Sequence, residues 1–199
     1  MAEAAWLEAQ QLRALDRLKD LSRARGLYLA GGTAVAFHLR HRRSRDLDLF
    51  SVGRIDLEPI RTHLLSLLPE GEVVSLSDAT LQVRAGDTRV DVVSYPYPPL
   101  ETPALGPAGF PTAGLTDLAT MKLAAVARRG IRRDFWDLYA IATGSPVTLD
   151  SALDAYVRRY GVSEPDLYHV LRALTYFDDA ARDESPLEGM TPALWHAIE

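Results

Sequence analysis

Cysteine is absent from the 199-residue chain, which excludes disulfides and thiolate metal sites. No run of about eighteen apolar residues occurs, so no membrane-spanning helix is expected. The stretch Met1 to Trp6 lacks the charged and apolar regions of a secretory signal, which makes the cytoplasm the expected location. Lysine is nearly missing: of 22 basic residues only Lys19 and Lys122 are lysines. The five histidines, His38, His41, His63, His169 and His196, show no metal-ligand spacing and read as packing residues. There is no Gly-x-x-x-x-Gly-Lys-Ser/Thr phosphate loop, no internal repeat and no Ser-His-Asp arrangement. What is there is ordinary for a globular chain, 47% hydrophobic and 25% charged, long enough for one large domain or a domain with a helical extension. A net charge of −5 argues against bulk coating of nucleic acid. The arginines cluster at 13–25, 40–45 and 128–133, however, which leaves room for a local phosphate-binding surface.

The chain is organised around Tyr28 to Phe50. Leu27-Tyr28-Leu29-Ala30 reads as a strand entering Gly31-Gly32, and Thr33 begins a helix-like run to Leu39. Glycines at a strand-to-helix turn let backbone amides approach a ligand, and a helix N-terminus favours anions. Thr33 is placed to cap that helix and offer its hydroxyl to the same anion. Asp46-Leu47-Asp48-Leu49-Phe50 then alternates with the period of a strand. Both carboxylates therefore leave one face, roughly 6–7 Å apart along the backbone. That spacing lets them lean onto one hard cation, and without a cation the pair repels itself. A phosphate cradle facing a carboxylate pair is what Mg-nucleotide chemistry needs.

Gly31-Gly32-Thr33-Ala34, followed by His41-Arg42-Arg43-Ser44-Arg45-Asp46-Leu47-Asp48-Leu49-Phe50, resembles the first motif of the AbiEii-type nucleotidyltransferases. These are abortive-infection and toxin–antitoxin proteins on the DNA polymerase β-like nucleotidyltransferase fold. The wider superfamily carries Gly-Ser where this chain has Gly-Gly. A second stretch, Met121 to Arg129 and then Arg133-Asp134-Phe135-Trp136-Asp137-Leu138, resembles the family's Lys-x-x-Ala-x-x-x-Arg helix and following Arg/Lys-Asp-Phe-x-Asp-Leu. The resemblance implies that Lys122 contacts nucleotide phosphates and that an Asp of the second helix supports the site. Asp134 and Asp137, three apart, share a helix face, so spacing leaves open which one points inward. The stretch Ala173 to Ala180 also resembles the family's C-terminal region.

Elsewhere, residues 3–25 read as an amphipathic helix ended by Gly26, and Leu57 to Leu68 as a second helix ended at Pro69-Glu70-Gly71. Glu72–Leu76, Thr80–Ala85 and Thr88–Tyr95 are candidate strands, the last two joined by Gly86-Asp87. Asp91 stands among valines in the third, and such a carboxylate is costly to bury unpaired. It is expected to complete a triad with Asp46 and Asp48; the competing reading pairs it with Arg89 or Arg84. Six prolines between 96 and 113 exclude helix and central strand there. Beyond Thr116 the pattern is helical: Leu149–Tyr160, a helix opened by Ser163-Glu164-Pro165-Asp166 and running to Ala180, and Thr191–Ile198.

The expected fold is α+β: a polymerase-β-like core, a small mixed sheet with flanking helices, followed by a C-terminal helical bundle. Residues 1–98 would form the catalytic core, 99–114 a Pro/Gly-rich crossover and 115–199 a helical region completing the site. The expected activity is transfer of a nucleoside monophosphate from an NTP to an acceptor hydroxyl. Asp46, Asp48 and Asp91 would hold Mg²⁺ or Mn²⁺, with Lys122, Asp134 and Asp137 in the catalytic set. Gly31, Gly32, Thr33, Ser44, Lys122 and Arg129 would bind the nucleotide. The resemblance implies a toxin acting on RNA, tRNA among the candidates, restrained by an antitoxin. Two alternatives stay open: a small-molecule, antibiotic-type nucleotidyltransferase, and a non-catalytic nucleotide-binding relative.

Overall fold

The computed structural model describes residues 6–199; the first residues of the helix expected over 3–25 lie outside it. Helix α1 (Ala9–Arg25) starts at a capping box formed by Glu8 and Gln11 and ends at Gly26, whose φ of 62° is left-handed. Its buried stripe, Gln11, Ala14, Leu15, Leu18, Leu21 and Ser22, follows the three-and-four spacing of one helix face. Strand β1 (Leu27–Ala30) is buried throughout and runs into α2 (Gly31–Leu39). Strand β2 (Leu47–Ser51) alternates as its sequence requires, with Leu47 and Leu49 in the core and Asp48 and Phe50 on the other face. Helix α3 (Leu57–Leu67), capped by Asp56, precedes the meander β3 (Gly71–Leu76), β4 (Thr80–Ala85) and β5 (Thr88–Val93).

These strands join β6 (Ala104–Leu105) and β7 (Pro111–Thr112) in one mixed sheet, in the order β3-β4-β5-β2-β1-β7-β6. The decisive pairing is β2 parallel to β5, which sets Asp48 beside Asp91. The proline-rich stretch departs from expectation. It returns to the sheet as two two-residue strands, with β7 parallel to β1 through Leu29 and Thr112. Pro111 is tolerated because Ala113, one residue past the strand, supplies the N–H that bonds Leu29.

The helical half comprises α4 (Leu115–Arg129), α5 (Arg132–Gly144), α6 (Leu149–Tyr160), α7 (Glu164–Ala173), α8 (Asp178–Arg182) and α9 (Pro192–Ile198). The helix expected to run from Ser163 to Ala180 is two helices. Phe177 sits in the break, packed against Phe135 at 4.8 Å and Trp195 at 6.0 Å between ring centres. One apolar cluster runs from Leu15 and Leu18 through Leu49 and Val92 to Leu123, Ile141 and Val170, so sheet and helices share a core. Arg159 and Asp117, both fully buried, pair at 2.7 Å and tie α6 to α4. Asp117 also accepts the N–H groups of Leu100 and Glu101, fastening the proline-rich stretch. No helix among the described residues is long and apolar enough to cross a membrane.

Candidate active site

Sheet and helices leave a cleft of about 900 Å³, into which β2 and β5 present their carboxylates. Asp46, Asp48 and Asp91 all line it, with Gly31, Gly32, Ser44, Lys122 and Arg129. Gly31 is required twice over. Its φ is +62°, and a Cβ there would stand 2.6 Å from Asp48 Cγ. Gly31→Ala is therefore expected to cost at least about 1–2 kcal/mol from backbone strain and to push Asp48 aside. Thermal melting and a turnover assay check both effects.

The three acids are not equivalent. Burial pushes the Asp48 carboxyl up to about 6; the Lys122 ammonium opposes the shift, and the charges of Asp91 and Asp46 add to it. Burial also raises Asp91, against Arg89 and the Gln82 amide that donates to its Oδ2 at 3.2 Å. Arg89 bridges two of the acids, donating to Asp46 Oδ2 at 3.0 Å and lying 3.3 Å from Asp91 Oδ1. Asp91 thus lines the same cleft as Asp46 and Asp48 and also pairs with Arg89. Among the described residues no three acidic or imidazole groups form a ready-made metal centre. The donor set nevertheless fits a hard divalent cation. It is all carboxylate oxygen, and Asp91 Oδ1 is buried without a hydrogen-bond partner.

Behind the cleft lies an ion network. Lys122 Nζ reaches Asp137 Oδ2 at 2.6 Å and Asp134 Oδ1 at 3.1 Å. Arg42 donates twice to Asp137, at 2.6 and 2.8 Å, and His41 Nε2 lies 2.7 Å from the same carboxylate. Arg129 donates twice to Asp134, at 2.7 and 2.9 Å. Burial alone would discharge Lys122, but Asp137 and Asp134 outweigh it and hold the ammonium above its ordinary pKa. Two of the three ammonium N–H groups are engaged there, and Lys122 also lines the cleft.

Two expectations need correction. Thr33 neither caps α2 nor offers its hydroxyl to the cleft. The helix begins at Gly31 with Ala30 as its cap residue, so Thr33 falls in the first turn, fully buried, and donates to the Asp46 carbonyl. Asp134 and Asp137 do not divide into one inward and one outward residue. Both are fully buried, pair with Lys122 and do not line the cleft. Arg133, on α5, lines the cleft with Lys122 and Arg129 of α4.

Sequence reasoning missed three contributors. Arg42 is buried, and its guanidinium lies where a side chain at Gly32 would stand, 3.3 Å from Cζ to that position. Phe50 and Tyr95 also line the cleft. Their signal was the alternation itself, since residue 50 follows Asp48 by two. The Tyr95 hydroxyl is spent on Tyr160 at 2.7 Å, and burial and Tyr160 keep it protonated, which leaves the ring as the part offered to the cleft.

The chain is similar to several known proteins. An uncharacterized protein of Aquifex aeolicus (strain VF5) is 29% identical over 195 residues, spanning 97% of this chain and 92% of its own. MenT4, a nucleotidyltransferase toxin of Mycobacterium tuberculosis H37Rv, superimposes with a TM-score of 0.58 at 19% identity, covering 100% of this chain and 82% of that one. The antibiotic-resistance factor ANT(2'')-Ia also reaches 0.58, at 14% identity, over 83% of this chain and 96% of its own. At these identities the two structures speak for the fold. Residues 75–198, more than half of the chain, match the family described as nucleotidyl transferase AbiEii toxin, type IV toxin–antitoxin system. The chain therefore belongs to the AbiEii nucleotidyltransferase family.

Proposed function

We propose that the chain transfers a nucleoside monophosphate from an NTP to a hydroxyl of an RNA, tRNA among the candidates, and serves as the toxin of a toxin–antitoxin pair. The observation that supports this reading is three carboxylates sharing one cleft with Lys122 and several arginines. Asp46, Asp48 and Asp91 would hold Mg²⁺ or Mn²⁺. A bound cation would neutralise phosphate charge and favour ionisation of the attacking hydroxyl.

The chain's own groups supply the rest. The first N–H groups of α2 have no side-chain cap and are free for phosphate oxygens. Lys122, held charged by its two aspartates, and Arg129 neutralise the leaving pyrophosphate. Ser44, beside Gly32, adds a hydroxyl. The acceptor oxygen bonds to the α-phosphorus, its proton passes to Asp91, and the bond to the β-phosphate oxygen breaks. Asp91 suits the proton's destination because burial raises it above an ordinary carboxylate and its Oδ1, though 3.3 Å from the Arg89 guanidinium, accepts no hydrogen bond.

A small-molecule acceptor of the antibiotic type shares this chemistry, and ANT(2'')-Ia shares the fold. The wall of the cleft favours RNA. Arg43, Arg45, Arg128, Arg129 and Arg133 line it, and the acids present are the proposed cation ligands and Glu188. Such a surface attracts a polyanion and repels a cationic aminoglycoside. Each of the four NTPs, labelled at the α-phosphate, should be incubated with cellular RNA, with aminoglycosides and with total protein. Label is expected in RNA, and label in aminoglycoside alone would overturn the acceptor assignment. A nucleotide that binds the folded state should also raise the melting temperature, by about 2.7 kcal/mol of added stability at a hundredfold excess over Kd.

A further inference from the structure

The cleft has two chemically different ends, and their order along β2 fixes what enters from each. Upstream of the carboxylates lie Ser44, Arg42 and the α2 N-terminus. Gly32 meets both side chains, and the β1–β2 register sets Ala30 opposite Asp48. Downstream lie Phe50, two residues beyond Asp48 and about 6.6 Å along the strand, and Tyr95 past the end of β5. In-line displacement at phosphorus puts the attacking oxygen opposite the leaving group. With pyrophosphate leaving toward the basic upstream end, the acceptor hydroxyl arrives from the aromatic end.

We infer that Phe50 and Tyr95 form a stacking platform for the terminal nucleobase of the RNA acceptor, seating its hydroxyl beside Asp91. This rests on the nucleotidyl-transfer reading of the cleft. The platform is held by contacts of its own. The Phe50 and Tyr95 rings meet edge to face at 5.0 Å, and Tyr97 backs Tyr95 at 5.5 Å. The Tyr95 N–H donates to the Ser51 hydroxyl, its hydroxyl is fixed to Tyr160, and the Arg159 guanidinium lies 5.4 Å from its ring centre. A ring so held loses little freedom on stacking. Both rings are half-buried and line the cleft, Phe50 from the sheet face that carries Asp48. A stacked base together with an arginine-lined wall is the recognition chemistry of single-stranded nucleic acid.

The test uses a six-residue oligoribonucleotide ending in 3′-terminal 2-aminopurine, whose fluorescence is quenched on stacking. Full-length wild-type protein should bind and quench it. Phe50→Leu and Tyr95→Leu should each weaken binding about tenfold and lose the quench, while affinity for an NTP labelled on its γ-phosphate stays within twofold. Tyr95→Phe, which keeps the ring and loses the bond to Tyr160, should restore the quench. Thermal melts confirm folding, and Phe50→Leu decides the matter alone if Tyr95→Leu does not fold. Unchanged RNA affinity in a folded ring-less variant overturns the platform. Weakened NTP binding with unchanged RNA binding overturns it too, by assigning the rings to the nucleotide's own base. A wild-type protein that binds no RNA, yet transfers label to another acceptor, overturns the RNA assignment and the platform but leaves nucleotidyl transfer standing.

Discussion

Asp48→Asn is expected to cut nucleotide transfer by about a hundred- to a thousandfold in kcat/KM, while making the protein more stable. Loss of activity follows from its place between Asp46 and Asp91, since electrostatic groups at a developing charge are each worth about a hundred- to a thousandfold. The gain in stability follows from its pKa. A carboxylate whose folded-state pKa is raised from 3.8 to about 6 binds its proton more tightly in the folded chain. Its destabilising effect is absent below pH 3.8, grows between there and about 6, and is fully present above. At about 1.4 kcal/mol per unit, the penalty at neutral pH is about 2–3 kcal/mol, or about 5–10 °C in Tm for a chain of this size. Cation-free melts at pH 7.5 should therefore show Asp48→Asn above the wild type, and melts at pH 4 should show the two nearly equal. Added Mg²⁺ should stabilise the wild type and leave the variant unmoved. An inactive variant that melts well below the wild type at pH 7.5 would contradict this account of the site's strain.

Asp137→Ala should have the opposite character: a large loss of stability with activity falling as a consequence. Asp137 is fully buried and is shared by Lys122, Arg42 and His41. Burial alone would raise its pKa; the Lys122 and Arg42 charges, with bonds from His41 and Arg42, reverse that and hold it far below the ordinary carboxylate range. Its removal leaves two buried cations short of a partner. Breaking a buried pair from one side costs about 3–5 kcal/mol, which is about 10–15 °C here. The sign with pH is the reverse of that for Asp48. Asp137 stabilises the fold above the unfolded-state value of 3.8 and loses that effect as pH falls toward its depressed folded value. The gap between wild type and Asp137→Asn should thus narrow in acid, as read by paired melts from pH 8 to 3.

These two aspartates also show what the sequence could and could not reveal. Asp46, Asp48 and Asp91 were legible because a strand's period of two forces alternate residues onto one face, and a carboxylate among valines demands a reason. The same rule carried two residues further gives Phe50. Arg42 was hidden because it is one of several arginines in a row. What turns it inward and leaves Arg43 and Arg45 exposed is a carboxylate 95 positions away, which local pattern does not see. Thr33 misled because a threonine after Gly-Gly looks like a cap; starting the helix at Gly31 puts it in the first turn, facing the core. The break between α7 and α8 was invisible for a related reason. Leu167, Val170, Leu171, Leu174 and Phe177 keep helical spacing across it, and only Phe135 and Trp195 explain why Phe177 leaves the helix. The short strands of the proline-rich stretch depend likewise on an edge that β1 offers from the far side of the sequence.

The central claim is that the carboxylate cleft breaks an NTP between its α- and β-phosphates and passes the nucleotide portion to an acceptor. The most direct measurement is a parallel reaction with one NTP labelled at the α-phosphate and the same NTP labelled at the γ-phosphate. The account predicts that α-label becomes attached to RNA and γ-label is released as pyrophosphate. Transfer of the γ-label to the acceptor, or attachment of neither label under conditions where NTP binding is measurable, would contradict it.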